Sequence, residues 1–78
     1  MDYKYQEIYF INSIKFRLHY HHQAEYKSMV KAVDNFIKDR KHGQNSEVVF
    51  LPGGEEIRIT QTSEHCFSVY YKRKRDLE

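Results

Sequence analysis

Five histidines and one cysteine are the side chains of this 78-residue chain best equipped for chemistry. His19 and His21 stand two apart, His22 follows, and His65-Cys66 lies far along the chain. On a strand, a spacing of two puts both imidazoles on one face about 7 Å apart, close enough to share an ion. A compact zinc site needs four ligands at short fixed spacings. The chain has neither a Cys-x-x-Cys nor a His-x-x-x-His pair, so no metal and no cofactor is expected. Cys66 with His65 does not make a nucleophile and its base, because neighbours on a strand point to opposite faces. Glu7, Glu47, Glu55 and Glu56 form no recognisable acid–base pair. Pro52-Gly53-Gly54 leads into a strand instead of a helix N-terminus, so it is not a phosphate loop. The chain reads as non-catalytic, with no small-molecule substrate evident.

The same histidines suit binding better. Ile14-Lys15-Phe16-Arg17-Leu18-His19-Tyr20-His21 alternates strictly, with apolar residues on one side and Lys15, Arg17, His19 and His21 on the other. A sheet built on this strand hides one face and shows water a row of cationic and titratable groups. The candidate site is that face: Tyr5, Tyr9, Lys15, Arg17, His19 and His21 from an N-terminal hairpin, Arg58, Tyr70 and Lys72 from a C-terminal meander. Arg73, Lys74 and Arg75 extend it as a basic tail. Tyrosine and arginine are frequent hot spots of protein interfaces, so the first expectation is a module that binds a protein partner or pairs with itself, face to face or edge to edge. Rings among cations also suit single-stranded nucleic acid, with bases stacked and phosphates paired, and that is the alternative. The small size also fits an accessory protein of a phage or mobile element that binds a host factor.

The position of the charge tempers the nucleic-acid reading. Residues 1–71 carry nine Lys/Arg against nine Asp/Glu, and the net charge of +2 comes from Lys72-Arg73-Lys74-Arg75 outweighing Asp76 and Glu78. A dedicated nucleic-acid binder is usually basic over its body as well. The single cysteine excludes an internal disulfide, as expected of a protein made in a reducing compartment. No apolar run approaches the ~20 residues of a membrane span, and no signal peptide opens the chain, so a cytoplasmic protein with no membrane contact is expected. Leu77-Glu78 has the look of a vector-derived remnant and is given no role.

The elements that must position these groups follow from period and turn chemistry. Residues 3–11 are rich in strand formers and end at Asn12-Ser13. A three-residue Ile11-Asn12-Ser13 loop is expected, because it pairs Phe10 with Ile14 and Ile8 with Phe16 on the core face and keeps the Glu7 carboxylate off it. That register also sets Tyr3 beside His21, Tyr5 beside His19 and Tyr9 beside Lys15 on the open face. Tyr26, Met29, Val30, Val33, Phe36 and Ile37 recur at helical spacing, which predicts a helix over about 23–42 with Gly43 as its C-terminal cap. Residues 48–51 and 57–60 predict a hairpin about a two-residue Gly53-Gly54 turn, with Phe50 opposite Ile57 and Val48 opposite Ile59 in the core. A last strand, entered through a Thr62-Ser63-Glu64 loop, is expected to pair Phe67 with Ile59 and Val69 with Ile57 and to bury Phe67, Val69 and Tyr71. The expected fold is α+β in two layers, of ββαβββ order, a mainly antiparallel sheet with one helix on one face. Residues 1–71 form a single domain and 72–78 a basic tail.

Overall fold

The computed structural model describes residues 3–76, so the reading of Leu77-Glu78 lies outside the described residues. The element order is β1 (Tyr5–Ile11), β2 (Ile14–Tyr20), α1 (Gln23–Asp39), β3 (Ser46–Phe50), β4 (Glu56–Ser63), β5 (Cys66–Lys72) and a short 3-10 turn over Lys74–Asp76. This is the expected ββαβββ α+β fold. One helix packs on a five-stranded open sheet of order β1-β2-β5-β4-β3. α1 carries the chain from β2 to the far edge, and the β3-β4-β5 meander returns to lie parallel to β2. The other three strand pairs are antiparallel.

The core lies between α1 and the sheet. Met29, Ala32, Val33 and Phe36 of the helix meet Phe16, Leu18 and Tyr20 of β2, Ile57 and Ile59 of β4, and Phe67, Val69 and Tyr71 of β5. Phe67 stacks on Phe16 and receives the edge of Phe36. Burial pushes the Tyr71 hydroxyl up to about 12, helped by the neighbouring Glu55 carboxylate.

The helix begins where expected, at Gln23, and ends short of expectation. No Ser, Thr, Asp or Asn caps its start; instead Glu25 folds back, and its carboxylate accepts the His21 and His22 N–H groups at 2.9 and 3.1 Å. A glutamate in the first turn satisfies donors the helix cannot and complements its dipole. The helix stops at Asp39, not at His42, because Arg40 turns to extended backbone. The Arg40 guanidinium lies over the Phe36 and Phe67 rings and donates to Gln44 O at 2.7 Å. Gly43, with φ +80, serves the following loop instead of capping the helix.

Two hairpin registers also differ by one residue, and both change which side chains face outward. Asn12 and Ser13 both take positive φ, 51 and 65, the signature of a two-residue type I′ turn. Ile11 therefore pairs with Ile14, Phe10 with Lys15 and Ile8 with Arg17. The carboxylate cost that argued against this register does not arise, because Glu7 sits exposed on an edge strand. In the β3-β4 hairpin the loop is longer than expected. Leu51 N–H donates to Glu55 O at 2.8 Å, Gly54 takes φ +88, and Pro52-Gly53-Gly54 forms a three-residue loop. Val49 thus faces Ile57 in the core, while Val48 and Phe50 turn to the other side, opposite Arg58 and Glu56. Between β4 and β5 the turn is Glu64-His65 with a bulge at Gln61/Ser63, which sets Ile59 opposite Val69. The shift there is two residues, so the faces stay as expected.

Candidate functional site: the open sheet face

Strand pairing arranges the uncovered face in rows. Phe10, Lys15 and Cys66 lie across one row; Ile8, Arg17, Ser68, Thr60 and Ser46 across the next. Gln6, His19, Tyr70, Arg58 and Val48 follow, then Lys72, Glu56 and Phe50. Of the expected site, Lys15, Arg17, His19, His21, Arg58, Tyr70 and Lys72 come together here. Tyr5 and Tyr9 do not. The register change turns both to the helix side, where Tyr5 stacks on Tyr20 and the Tyr9 hydroxyl donates to Asp34 of α1 at 3.0 Å. That hydrogen bond raises the Tyr9 pKa above its ordinary value.

Beyond β5 the basic tail continues through Arg73 into the 3-10 turn over Lys74–Asp76. Arg73 is half-buried, and Lys74 and Arg75 are exposed in the 3-10 turn. The Lys74 stem passes the β3-β4 loop, 3.5 Å from where a Cβ on Gly54 would stand.

At the centre, four rings pack on one another. His19 stacks on Tyr70 with centroids 4.6 Å apart, and Tyr3 stacks on His21 at 4.9 Å. Tyr3 also touches His19 and Tyr70, both at 5.8 Å. The backbone bends at Lys4, so Tyr3 reaches the open face although Tyr5 faces the helix. The Lys72 ammonium lies over Tyr3 and Tyr70, a cation–π arrangement. The stack buries His19 to 8 % exposure although no helix covers it. Burial, with the Arg17 charge second, lowers its pKa from the ordinary 6.5, so the ring is neutral at pH 7. The Tyr3 hydroxyl and the Nε2 atoms of His19 and His21 are buried without a hydrogen-bond partner.

Arg58 Nε donates to the Glu56 carboxylate, which is 6 % exposed although it stands on the open side. The strands of this face, among the described residues, set Lys15, Arg17, Arg58 and Lys72 against that one carboxylate. Around this cationic centre stand side chains that sequence reasoning placed in the core: Ile8 is 46 % exposed, Phe10 64 %, Val48 42 % and Phe50 77 %. These are the exposed large apolar residues among those described, and all four lie on this face. Among the described residues no three His, Cys, Asp or Glu are grouped to hold a metal ion. No described helix is long and apolar enough to cross a membrane.

Fold and face together define a small one-helix α+β domain with an uncovered, cationic and partly apolar sheet surface. Comparison with protein-family models, with curated proteins and with solved structures gives no match.

Proposed function

We propose that this chain is a non-catalytic protein-binding module whose open sheet face takes an acidic polypeptide surface carrying apolar side chains. The observation that carries the reading is the collection of Ile8, Phe10, Val48 and Phe50 on that one face. Large apolar side chains gathered on one surface of a small domain mark an interaction site. Charge supports the chemistry of the partner: four cations against one buried, already paired carboxylate favour an acidic surface. The same charge opposes face-to-face packing of two copies, which would bring like against like.

Two features weigh against single-stranded nucleic acid. The central rings Tyr3, His19, His21 and Tyr70 already stack on one another, so their faces are not free for bases. The exposed rings, Phe10 and Phe50, stand on opposite edge strands of the five. Four strand spacings separate those edges, about 19 Å, too far for adjacent bases to stack on both. Ile8 and Val48 beside them add apolar surface that a base cannot stack on.

The test is selection of a displayed random-peptide library on the immobilised protein, followed by amide-shift mapping of the enriched peptides. Enriched sequences are expected to be acidic with bulky apolar residues, to shift Ile8, Phe10, Arg17, Val48 and Arg58, and to lose affinity on a Phe10→Ser, Phe50→Ser variant. Enrichment of basic peptides, or shifts confined to α1, would overturn the reading. So would tighter binding of mixed single-stranded oligonucleotides at the same face with a steep salt dependence.

A further inference from the structure

The two outer strands each turn a row of backbone N–H and C=O groups away from the sheet. In an antiparallel pair, alternate residues direct both groups at the neighbour, and the residues between direct both outward. Leu51 N–H bonds to Glu55 O across the hairpin, and Asn45 O accepts from Gln61 N–H. At period two, Glu47 and Val49 therefore also face β4, and Ser46, Val48 and Phe50 present their backbone groups at the edge. Nothing on this strand blocks pairing: β3 carries no Lys, no Pro and no bulge. On its helix side lies an open groove of about 240 Å³, lined by Ser28, Lys31, Ala32 and Asn35 of α1 with Val49 and Leu51. The edge thus combines unpaired backbone groups, apolar side chains on the open face and room on the helix face for the side chains of another strand.

We propose that β3 is a dimerisation edge, to which a second copy adds its own β3 antiparallel about a two-fold axis through Val48. The register follows from the hydrogen-bond rows. Only pairing Val48 with Val48 sets all three outward residues against outward residues, with Ser46 opposite Phe50 on each side, and closes six backbone hydrogen bonds. Neighbouring symmetric registers align two of the three and close four. In the favoured register Glu47 stands opposite Val49 of the partner subunit. Val49 lines the groove that Lys31 also lines, so each Glu47 carboxylate enters the groove beside a lysine of the other copy.

The other edge fails the same comparison. A two-fold through Ile8 would also close six hydrogen bonds, but it sets Glu7 opposite Tyr9 of the second copy. The Tyr9 hydroxyl is bonded to Asp34, so that register brings two carboxylates together. Charge therefore selects β3. The product is a ten-stranded sheet, twice the five of one copy, with both open faces on the same side and the two Val48 side chains meeting at the seam. This inference stands independently of what the open face binds.

Sedimentation of the full chain over a concentration series tests it, with mass expected to rise from 9.5 kDa to twice that value. Val48→Pro removes an outward N–H and leaves the ladder to β4 intact; Val48→Lys places a charge at the seam. Both are expected to stay monomeric with unchanged circular dichroism, whereas Ile8→Lys on the far edge still dimerises. In the dimer the Ser46 and Phe50 amides should resist hydrogen exchange as well as Val49 does, and in Val48→Lys they should exchange freely. Lys31→Glu and Glu47→Lys should each weaken the dimer, and the two together should restore it. A wild-type chain that stays at 9.5 kDa throughout, or a dimer that survives both Val48 changes, overturns the proposal. So does a dimer abolished by Ile8→Lys, which would place the seam on β1.

Discussion

Replacing Phe50 by alanine distinguishes two ways of folding the same hairpin. With Phe50 opposite Glu56, the side chain is 77 % exposed and about a quarter of it is withheld from water. Full burial of a phenylalanine is worth about 1.5–3 kcal/mol, so the packing lost is about 0.4–0.7 kcal/mol. Loss of a strand-favouring side chain on an edge adds at most about 1 kcal/mol. The expected cost of Phe50→Ala is thus below about 1.7 kcal/mol. Had a two-residue Gly53-Gly54 turn set Phe50 opposite Ile57, the ring would lie in the core and its removal would cost about 3–5 kcal/mol. Phe36, at 1 % exposure, supplies the reference for a true core position. Urea denaturation followed by circular dichroism, on protein dilute enough to be monomeric, reads the difference directly, since the midpoint moves by about 1 M for each 1–3 kcal/mol. A Phe50→Ala cost equal to that of Phe36→Ala would refute both the register and the open face built on it. The same substitution carries a second expectation. If a partner covers the exposed three-quarters of the ring, the loss is about 1.2–2.3 kcal/mol of binding, or about 7- to 50-fold in Kd.

Ser13→Gly is expected to stabilise the chain by about 0.5–1 kcal/mol, because Ser13 holds φ 65 and glycine relieves that strain at a smaller entropic cost. Asn12 already tolerates the left-handed region, and a destabilised Ser13→Gly variant in the same urea assay would mean the turn is not type I′. His19 gives a pH dependence. Its folded pKa lies below the ordinary 6.5, so the unfolded chain binds the proton more readily; stability is complete above pH 6.5, falls as pH drops toward the folded value, and then levels off. The charged and titratable groups around it are Arg17, Tyr3, His21, Tyr70 and Lys72, and the charge that acts on it, that of Arg17, adds to the effect of burial. His19→Phe keeps the stack on Tyr70 and removes the titration, so its thermal midpoint should vary less between pH 7 and about pH 5. An unchanged slope would show that burial in the stack is not what depresses this imidazole.

The interior of the fold was legible because its residues are constrained from both directions. β2 alternates strictly, and a one-residue slip would drive Lys15 and Arg17 into the core, so its faces follow from sequence alone. The helix stripe from Tyr26 to Ile37 is equally unambiguous, and the cationic part of the site came with β2. The errors gather at the edges and ends. Burying Glu7 looked costly only if β1 were covered, yet an edge strand leaves that carboxylate in water. Asn12-Ser13 lacks the glycine that usually advertises a type I′ turn, and Gly53-Gly54 advertises a two-residue turn that Pro52 extends to three. The Glu25 cap was open to inspection, since it stands three residues after His22, where a capping glutamate belongs. The bend at Lys4 that brings Tyr3 over His21 left no comparable mark in composition.

The two misread turns do not alter the argument for a covered face. β1 contains Tyr5, Ile8, Tyr9, Phe10 and Ile11, and residues 48–51 are Val-Val-Phe-Leu, so both edge strands are apolar on both faces. Either register leaves large apolar side chains on the side that α1 does not reach: Tyr5 and Tyr9 in one, Ile8 and Phe10 in the other. Continuous apolar runs belong to strands covered on both faces, whereas a strand with one wet face alternates as β2 does. Within one chain the central strands therefore obey the pattern of a two-layer fold, and the edge strands obey that of a three-layer one. On the proposed function a bound polypeptide supplies that cover, and among the described residues it is needed most at the two edges, where Phe10 and Phe50 stand most exposed.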